Sequence, residues 1–256
     1  MTLAGHVSVV TGGNRGIGRG LAEGLVLAGA TVAIWARDEA RNAEACAHLD
    51  QLGTTVEGGG RAIAVGCDVS DEGQVAAAMQ HTLGELGKVD SLFANAGIGG
   101  AAPFVDMTLA EWRRVMAVNL DGAFLTLREA ARHLVERGDG GSLVAISSVS
   151  AIHGAPRMEH YAASKTAVLA LVRGLAVELA RHRVRSNAIL PGWTETEMIE
   201  PGKANQRWVD ATIGRTPVRR WGVPTDFRAI AAYLADPTHV FHTGDAIVMD
   251  GGYTVY

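Results

Sequence analysis

Short apolar runs that alternate with helix-like segments constrain the fold of this chain more than any other feature of its sequence. Neighbouring runs are separated by at least 19 residues, which leaves room for helical crossovers between parallel strands. The run at residues 143–146 is apolar throughout, as expected of a strand buried on both faces. The predicted strands lie near residues 7–11, 31–36, 61–67, 90–94, 142–147, 185–190 and 245–249. The alternation predicts an α/β fold, a doubly wound parallel sheet of about seven strands with helices on both faces.

Composition limits the class of protein without identifying it. A length of 256 residues, 48% of them hydrophobic, suits a single domain that spans residues 1–256. The formal net charge is −4 and the sequence has no basic run, so we expect no nucleic-acid partner. Charges and glycines interrupt the apolar stretches, so we expect a cytoplasmic protein without a membrane anchor. Cys46 and Cys67 lie apart from CxxC patterns and clustered histidines, which favours reduced thiols and no metal site.

The first predicted strand leads into a glycine-rich turn. Residues 11–18 read Thr-Gly-Gly-Asn-Arg-Gly-Ile-Gly, and the segment from Arg19 to Ala28 is helix-like. The N–H groups of such a turn and the positive end of the helix bind phosphate groups, and glycine lets the backbone approach a pyrophosphate closely. Because the chain contains 32 glycines, their spacing alone is weak evidence. The position between a strand and a helix is what predicts a dinucleotide site.

A phenol and an ammonium group lie four residues apart, at Tyr161 and Lys165, within another helix-like segment. Side chains at positions i and i+4 share one face of a helix. An ammonium beside a phenol favours the phenolate, so we expect Lys165 to lower the pKa of Tyr161 and make it a general acid or base. The chain has only three lysines, so chance seldom gives such a pair. The alternative is an exposed helix lysine without a catalytic role.

Together, the two motifs resemble those of the classical short-chain dehydrogenase/reductase family. The likeness covers nearly the whole chain, through landmarks in the family's order: Thr11, Gly12, Gly16 and Gly18, Asp68-Val69, Asn95-Ala96-Gly97, Asn119, Ser148, Pro191-Gly192 with Thr196, Thr243-Gly244, and Asp250-Gly251-Gly252. The resemblance implies a Rossmann-type fold and an NAD(P)-dependent oxidoreductase that interconverts a ketone and a secondary alcohol by hydride transfer. The substrate it implies is a 3-oxoacyl thioester or another small carbonyl compound.

The resemblance also implies the catalytic roles. Tyr161 would exchange a proton with the substrate, Lys165 would hold the nicotinamide ribose, and Ser148 would hydrogen-bond the substrate oxygen and stabilise its developing charge. Asn119 would anchor a water molecule that links Lys165 to solvent.

Two of these assignments have structural alternatives. Ser147 and Ser150 crowd the same strand end as Ser148, and any of the three could be a cap, although the thirteen-residue offset to Tyr161 selects Ser148 by resemblance. Asn119 could instead bond to neighbouring backbone, as asparagine within a helix often does.

By the same resemblance, the cofactor-binding residues come from the glycine turn, the ends of later strands and the catalytic helix. They are Gly12, Asn14, Arg15, Gly16, Ile17, Gly18, Arg37, Asp68, Val69, Asn95, Ala96, Gly97, Tyr161, Lys165, Pro191, Gly192, Trp193 and Thr196. Residues 95–97 could be only a turn. Asp68 has two interpretations: it contacts the adenine of the cofactor, or it caps the next helix. Ser70 and Asp71 could cap that helix as well. Trp193 and Met198 pack in the core or face the nicotinamide and substrate.

The second predicted strand bears on the choice of cofactor. NAD-specific members of the family place an acid at its end, where this chain has Ala36 followed by Arg37. Arg15 in the glycine turn is a second cation, so NADP(H) is favoured and NAD(H) is the alternative. Asp38 is the one residue that favours NAD(H), and we interpret it as a helix cap.

The segments expected to select the substrate are residues 98–102, 150–158 and 194–217. Roughly residues 194–217 are expected to form a mobile substrate lid, of which the part from Pro201 to Pro217 is polar and irregular. Two predicted long helices, 109–137 and 157–181, have apolar residues on more than one face. The residues expected to be buried away from the sheet are Ala123, Leu127, Ala130 and Leu134, or Val168, Leu171 and Leu175. This pattern, with the family resemblance, predicts a homotetramer with two-fold symmetry. The alternative is that these faces pack under loops of the same chain.

Two rival functions fit the same fold. The first is a non-catalytic dinucleotide sensor or scaffold, which would usually have lost part of the catalytic set that this chain retains. The second is the extended branch of the family that modifies sugar nucleotides, which the G-x-x-x-G-x-G spacing and the short C-terminal region disfavour.

Overall fold

A computed structural model describes residues 2–256. Within that range, seven strands form one parallel sheet in the order β3-β2-β1-β4-β5-β6-β7. The strands are β1 Val7–Thr11, β2 Thr31–Ala36, β3 Ala62–Gly66, β4 Ser91–Ala94, β5 Gly141–Ile146, β6 Val184–Pro191 and β7 Ala246–Met249. Every predicted strand is confirmed, with ends within one residue of the expected positions.

Helices cover both faces of this sheet. They are α1 Gly16–Leu27, α2 Glu39–Gly53, α3 Glu72–Leu86, α4 Leu109–Met116, α5 Gly122–Arg137, α6 Glu159–Glu178, α7 Gln206–Arg215 and α8 Arg228–Ala235. Helices α1, α2 and α8 bury one apolar cluster, and α3, α5 and α6 bury a second cluster on the opposite face. The doubly wound fold is therefore confirmed, and the carboxyl ends of the parallel strands meet along one edge.

Aspartate caps begin two of the helices. The Asp38 carboxylate accepts a hydrogen bond from the Arg41 N–H at the start of α2, which confirms its interpretation as a cap. Asp71 caps α3 in the same way through the Gln74 N–H. Asp68 accepts hydrogen bonds from the backbone and hydroxyl of Ser70, so it is not the cap of α3.

The two predicted long helices differ in detail from expectation. The first runs from Leu109 to Arg137, but a π-helical turn at Ala117–Asp121 separates α4 from α5. The second begins at Glu159 rather than at Arg157, because Arg157 has a left-handed φ of 67° that cannot continue a helix.

The prediction that apolar residues of these two helices are buried away from the sheet is wrong for five of them: Ala123, Leu127, Ala130, Leu134 and Val168. All five are buried in the apolar cluster against the sheet, because the 3.6-residue period turns this face inward. The outward face instead carries Phe124, with Leu171 and Leu175 only partly buried. These residues line a groove of about 410 Å³ between α5 and α6.

The expectation that residues 201–217 are irregular is also wrong, because Gln206–Arg215 form helix α7. The Asn205 side chain caps this helix by accepting a hydrogen bond from the Trp208 N–H. Thr212 is buried on its inner face, where it accepts a hydrogen bond from the Trp221 indole. Across residues 2–256, no helix combines the length and the apolar character needed to cross a membrane.

Candidate active site

The glycine turn is held in place by the end of β4. The Asn95 side chain donates to the Thr11 carbonyl at 2.8 Å and to the Gly12 carbonyl at 3.3 Å. The Thr11 hydroxyl accepts in return from the backbone N–H groups of Asn95 and Ala96, both at 2.9 Å. Residues 95–97 therefore do more than turn the chain, because their first residue braces the predicted phosphate-binding turn.

The shape of the turn depends on glycine at two points. Gly16 has a φ of 51°, a left-handed conformation that favours glycine. A Cβ atom on Gly18 would overlap the Gly12 carbonyl and the Asn95 amide. Arg15 is the N-cap residue of α1, and within residues 2–256 its side chain makes no cap hydrogen bond to the first N–H groups of that helix. A tight turn with free N–H groups at a positive helix end fits a pyrophosphate.

Asn14 is buried behind the turn, where its amide donates to the Asn42 side chain at 2.8 Å. Asn42 in turn donates to the Ala36 carbonyl at the end of β2. The predicted cofactor residue Asn14 thus fixes the turn against α2.

The predicted catalytic residues come together at the ends of β4 and β5. The Lys165 ammonium donates to the Ile146 carbonyl at 2.7 Å and lies 5.7 Å from the centre of the Tyr161 ring. A Cβ atom on Gly97 would lie 3.3 Å from both the Lys165 Nζ and the Asn119 Oδ1 atoms, so these two side chains meet beside Gly97.

Asn119 lies in the π-helical turn and is buried. Its Oδ1 atom accepts from the Ile98 N–H at 2.8 Å, and its Nδ2 group donates to the Ile98 carbonyl at 3.0 Å. The same amide donates to Ser164 at 3.2 Å, and the Ser164 hydroxyl donates to the Tyr161 carbonyl at 2.7 Å. Asn119 does bond to backbone, but to that of Ile98 in the loop after β4, and it thereby joins this loop to helix α6. π-Helical turns often occur at functional sites.

The structure gives the neighbouring serines different environments. The Ser147 hydroxyl is buried and donates to the Lys165 carbonyl at 2.7 Å. The Ser148 hydroxyl accepts from the Ser150 N–H at 3.1 Å and lies close enough to Tyr161 to lower the pKa of its phenol. Ser148 is therefore both a cap of the short turn after β5 and the serine that reaches the phenol.

The expected lowering of the Tyr161 pKa by Lys165 is wrong. Limited hydration raises the pKa of Tyr161 above its ordinary value, and the hydrogen bond with Ser148 opposes this rise. Burial also lowers the pKa of Lys165 to about 8. The ammonium donates to the Ile146 carbonyl instead of to the phenol, so it does not offset the dehydration of Tyr161.

Cations surround the end of β2. Arg37 pairs with Asp68 at 3.4 Å, and the guanidinium side chain is 66% exposed. Arg15 and Arg41 both pair with the carboxylate of Glu197. The sequence analysis missed Arg41 and Glu197, although the spacing from Asp38 to Arg41 is a known signal for a helix-start ion pair, which forms here at 3.3 Å.

The remaining predicted cofactor residues lie along the same edge. Val69 is buried in the apolar core, so only its backbone can face a nucleotide. Ile17, in the first turn of α1, is partly buried. Pro191 ends β6, and Thr196 lies against Gly16, on which a Cβ atom would be 3.2 Å from the Thr196 methyl group.

Trp193 follows Gly192, whose N–H donates to the Met249 carbonyl. The Trp193 ring meets those of Trp208 and Tyr253 edge-on, with centroids 4.8 Å and 6.4 Å away. Trp193 therefore packs against α7 and the C-terminal turn, and a contact with the nicotinamide remains a prediction.

Residues 98–102 are anchored by side chains that the sequence analysis missed. Arg114 donates to the Gly99 carbonyl at 3.1 Å and pairs with Glu111, which also contacts the buried His160 at 3.4 Å. Met198 contacts the same loop, since a Cβ atom on Gly99 would lie 3.3 Å from the Met198 Cγ atom. The spacing of Glu111 and Arg114 on one helix face was the available signal.

Known proteins resemble this chain over its full length. A family model described as Enoyl-(Acyl carrier protein) reductase matches residues 12–254. An L-rhamnose 1-dehydrogenase (NAD(P)(+)) from Sphingomonas sp. (strain SKA58) is 37% identical over 254 residues, which cover 99% of this chain and 98% of that protein.

Solved structures agree with these matches. A short-chain type dehydrogenase/reductase from Mycobacterium marinum has a TM-score of 0.92 and 34% identity, with 100% of this chain and 98% of the other covered. A gluconate 5-dehydrogenase from Burkholderia cenocepacia J2315 in complex with NADP and tartrate has a TM-score of 0.91 and 33% identity, with coverage of 100% and 97%. The similarity therefore extends over the whole sheet and over every element that contributes to the candidate site.

Proposed function

The chain belongs to the short-chain dehydrogenase/reductase family, and we propose that it interconverts a secondary alcohol and a ketone on a sugar or sugar acid, with NADP(H) as the preferred cofactor. The observation that carries the proposal is the convergence of Lys165, Asn119 and the Ser148–Tyr161 pair beside the glycine turn. The relatives named for L-rhamnose and gluconate support a polyhydroxylated substrate.

The chain's own residues supply the proton chemistry. Because the pKa of Tyr161 is raised, the phenol is protonated at neutral pH and suited to donate a proton to the oxygen of a ketone. Ser148 holds that oxygen and stabilises the charge that develops on it. The Lys165 ammonium, which is buried and anchored on the Ile146 carbonyl, would hold the cofactor ribose. The bound nicotinamide supplies or accepts the hydride.

The cleft fits a dinucleotide with a 2′-phosphate. The crowded contact of Gly18 with the Gly12 carbonyl shapes a turn that suits a pyrophosphate. Arg15, Arg37 and Arg41 place positive charge around the end of β2, where Ala36 occupies the position of the acid in NAD-specific members. This charge favours NADP(H), with NAD(H) as the weaker ligand.

A 3-oxoacyl thioester carried by an acidic carrier protein is less well supported. Arg128, a cation on α5 that an acidic partner could contact, already pairs with Glu72 and Glu129. Arg132 pairs with Glu129 at 2.7 Å. These internal pairs leave less free positive charge on that face of α5.

A homotetramer is part of the proposal. The groove between α5 and α6 leaves Phe124 44% exposed on the surface, beside the partly buried Leu171 and Leu175. A second copy of the chain that packs α5 and α6 against this groove would bury it through a two-fold interface. Light scattering at micromolar concentration tests this point, and a mass near the 26.8 kDa of one chain would contradict it.

The test of function is a panel of substrates assayed with NADPH or NADP and, separately, with NADH or NAD. The panel contains sugars, aldonic and keto-aldonic acids, a cyclic ketone and an acetoacetyl thioester, and the absorbance of the reduced nicotinamide is followed. Turnover of a sugar or sugar acid that is lost in Tyr161→Phe supports the proposal. Nucleotide binding without turnover on any class favours the sensor or scaffold, and activity on the thioester alone contradicts the proposed substrate class.

A further inference from the structure

One carboxylate of the lid segment holds two arginines of the cofactor cleft. The Glu197 carboxylate accepts from Arg15 at 2.7 Å, and Arg41 donates to both of its oxygens at 2.9 Å. Arg15 belongs to the glycine turn, Arg41 to the first residues of α2, and Glu197 to the segment after β6. Three separate elements therefore meet at a single negative charge.

The neighbouring contact shows how closely this segment approaches the turn. Thr196 lies against Gly16 at the start of α1, where a Cβ atom would come within 3.2 Å of the threonine methyl group. The side chains of the ion pairs themselves remain open to water, with Arg15 50%, Arg41 43% and Glu197 56% exposed. Solvent-exposed pairs of this kind break at little cost, so the contact is reversible.

Glu197 occupies a site with the chemistry of a phosphate site. Guanidinium groups bind carboxylate and phosphate oxygens with the same planar donors, and two converging guanidinium groups favour the anion of higher charge. The site lies beside the end of β2, where the 2′ substituent of the cofactor is placed in the proposed function. Arg37 is not part of this contact, because it pairs with Asp68.

We propose that Glu197 is an internal competitor of the cofactor's 2′-phosphate for Arg15 and Arg41, and so a determinant of cofactor specificity. The inference rests on the proposed function, in which the cleft binds NADP(H). A 2′-phosphate must displace the carboxylate, whereas NAD(H) leaves it in place. Glu197 therefore weakens NADP(H) binding and narrows the preference for NADP(H) over NAD(H). Arg41 lowers the pKa of Glu197 by hydrogen bonding, so the carboxylate stays charged at neutral pH.

The experiment is a binding titration of NADPH, NADH, 2′,5′-ADP and 5′-AMP to the wild type and to Glu197→Gln. We expect Glu197→Gln to bind NADPH and 2′,5′-ADP about 3- to 10-fold more tightly, as befits the loss of two exposed ion pairs. The dissociation constants of NADH and 5′-AMP should change less than about 2-fold, because neither ligand competes with the carboxylate.

The matched control is Glu195→Gln, which removes the same charge two residues away, where the carboxylate pairs only with Lys203 within the described chain, at 4.0 Å. Its four dissociation constants should match those of the wild type. A second variant, Arg41→Ala, removes one of the contested cations and should abolish most of the gain from Glu197→Gln when the two substitutions are combined.

The outcomes separate this inference from the proposed function. If Glu197→Gln binds NADPH more weakly, or shifts NADPH and NADH equally, Glu197 is not a competitor and the inference is overturned, while the dehydrogenase function stands. If the wild type binds none of the four nucleotides, the proposed function itself is overturned, and the inference with it.

Discussion

The residues beside the strand ends and Glu197, in the segment that follows β6, are held in place in opposite ways. Asn119 is only 1% exposed and bonds to the backbone of Ile98, and Lys165 is buried and bonds to that of Ile146. The Glu197 side chain is 56% exposed and, within residues 2–256, bonds only to the guanidinium groups of Arg15 and Arg41. Asn119 and Lys165 are therefore fixed by contacts with backbone, and Glu197 by side-chain contacts open to water.

The difference indicates where chemistry and specificity reside. A buried hydrogen bond to backbone leaves an unsatisfied group when it is broken, which costs about 1–3 kcal/mol. An exposed ion pair costs little to break and is screened by salt. In the proposed function, the reacting groups lie where contacts are costly to break, whereas the residue proposed to adjust cofactor preference, Glu197, makes contacts that are easily exchanged.

The largest effect is expected among the residues beside the strand ends. Tyr161→Phe removes the phenol hydroxyl but keeps the ring in place, so turnover should fall about 10²–10⁴-fold while the protein still binds NADPH. Steady-state kinetics and a binding titration measure the two quantities. Turnover within about 10-fold of the wild type would rule out Tyr161 as the general acid.

The second prediction concerns the burial of the Lys165 ammonium, which should lower the free energy of unfolding where the unfolded chain carries the proton. Its pKa is lowered to about 8 by burial, against 10.5 for a free lysine, so between these values the unfolded chain binds a proton that the folded chain has lost. Stability relative to Lys165→Met should therefore rise as the pH increases from 8 towards 10.5, by up to about 3 kcal/mol at 1.4 kcal/mol per pKa unit. Urea unfolding of both proteins at pH 7 and pH 10 measures it, and a constant difference would show that the pKa is not lowered.

Much of the site beside the strand ends could be predicted from the sequence. The apolar runs located the strands, and the family resemblance singled out Ser148, Tyr161 and Lys165 as the proposed catalytic set. The pairing of Arg41 with Glu197 could not be predicted, because the two residues are 156 positions apart and only the folded chain brings them together. The inward face of α5 was misassigned because an apolar pattern does not by itself tell which neighbour covers it.

Asn119 should give a smaller effect that spreads to stability. Asn119→Ala leaves the N–H and carbonyl groups of Ile98 without these partners, so we expect a loss of about 2 kcal/mol in the free energy of unfolding and reduced turnover. Denaturant unfolding and kinetics provide the readouts. Ser164→Ala, which removes one bond to the same amide and one to the Tyr161 carbonyl but keeps both bonds to Ile98, is the control and should lose less. Equal losses of unfolding free energy in the two variants would mean that the bonds from Asn119 to Ile98 do not stabilise the fold.

The smallest effect is expected from Arg37→Ala, at the exposed rim formed by the residues that follow β2. The Arg37 side chain is 66% exposed and pairs with Asp68 at 3.4 Å, so the substitution should leave the fold intact. Loss of one exposed cation near the 2′-phosphate should weaken NADPH binding by about 3- to 10-fold and NADH binding by less than 2-fold, as measured by titration. Equal losses would exclude a phosphate contact. A loss far above 10-fold would instead mean that the rim becomes as rigid as the strand ends once the cofactor binds, and the contrast between the two regions would then hold only for the free protein.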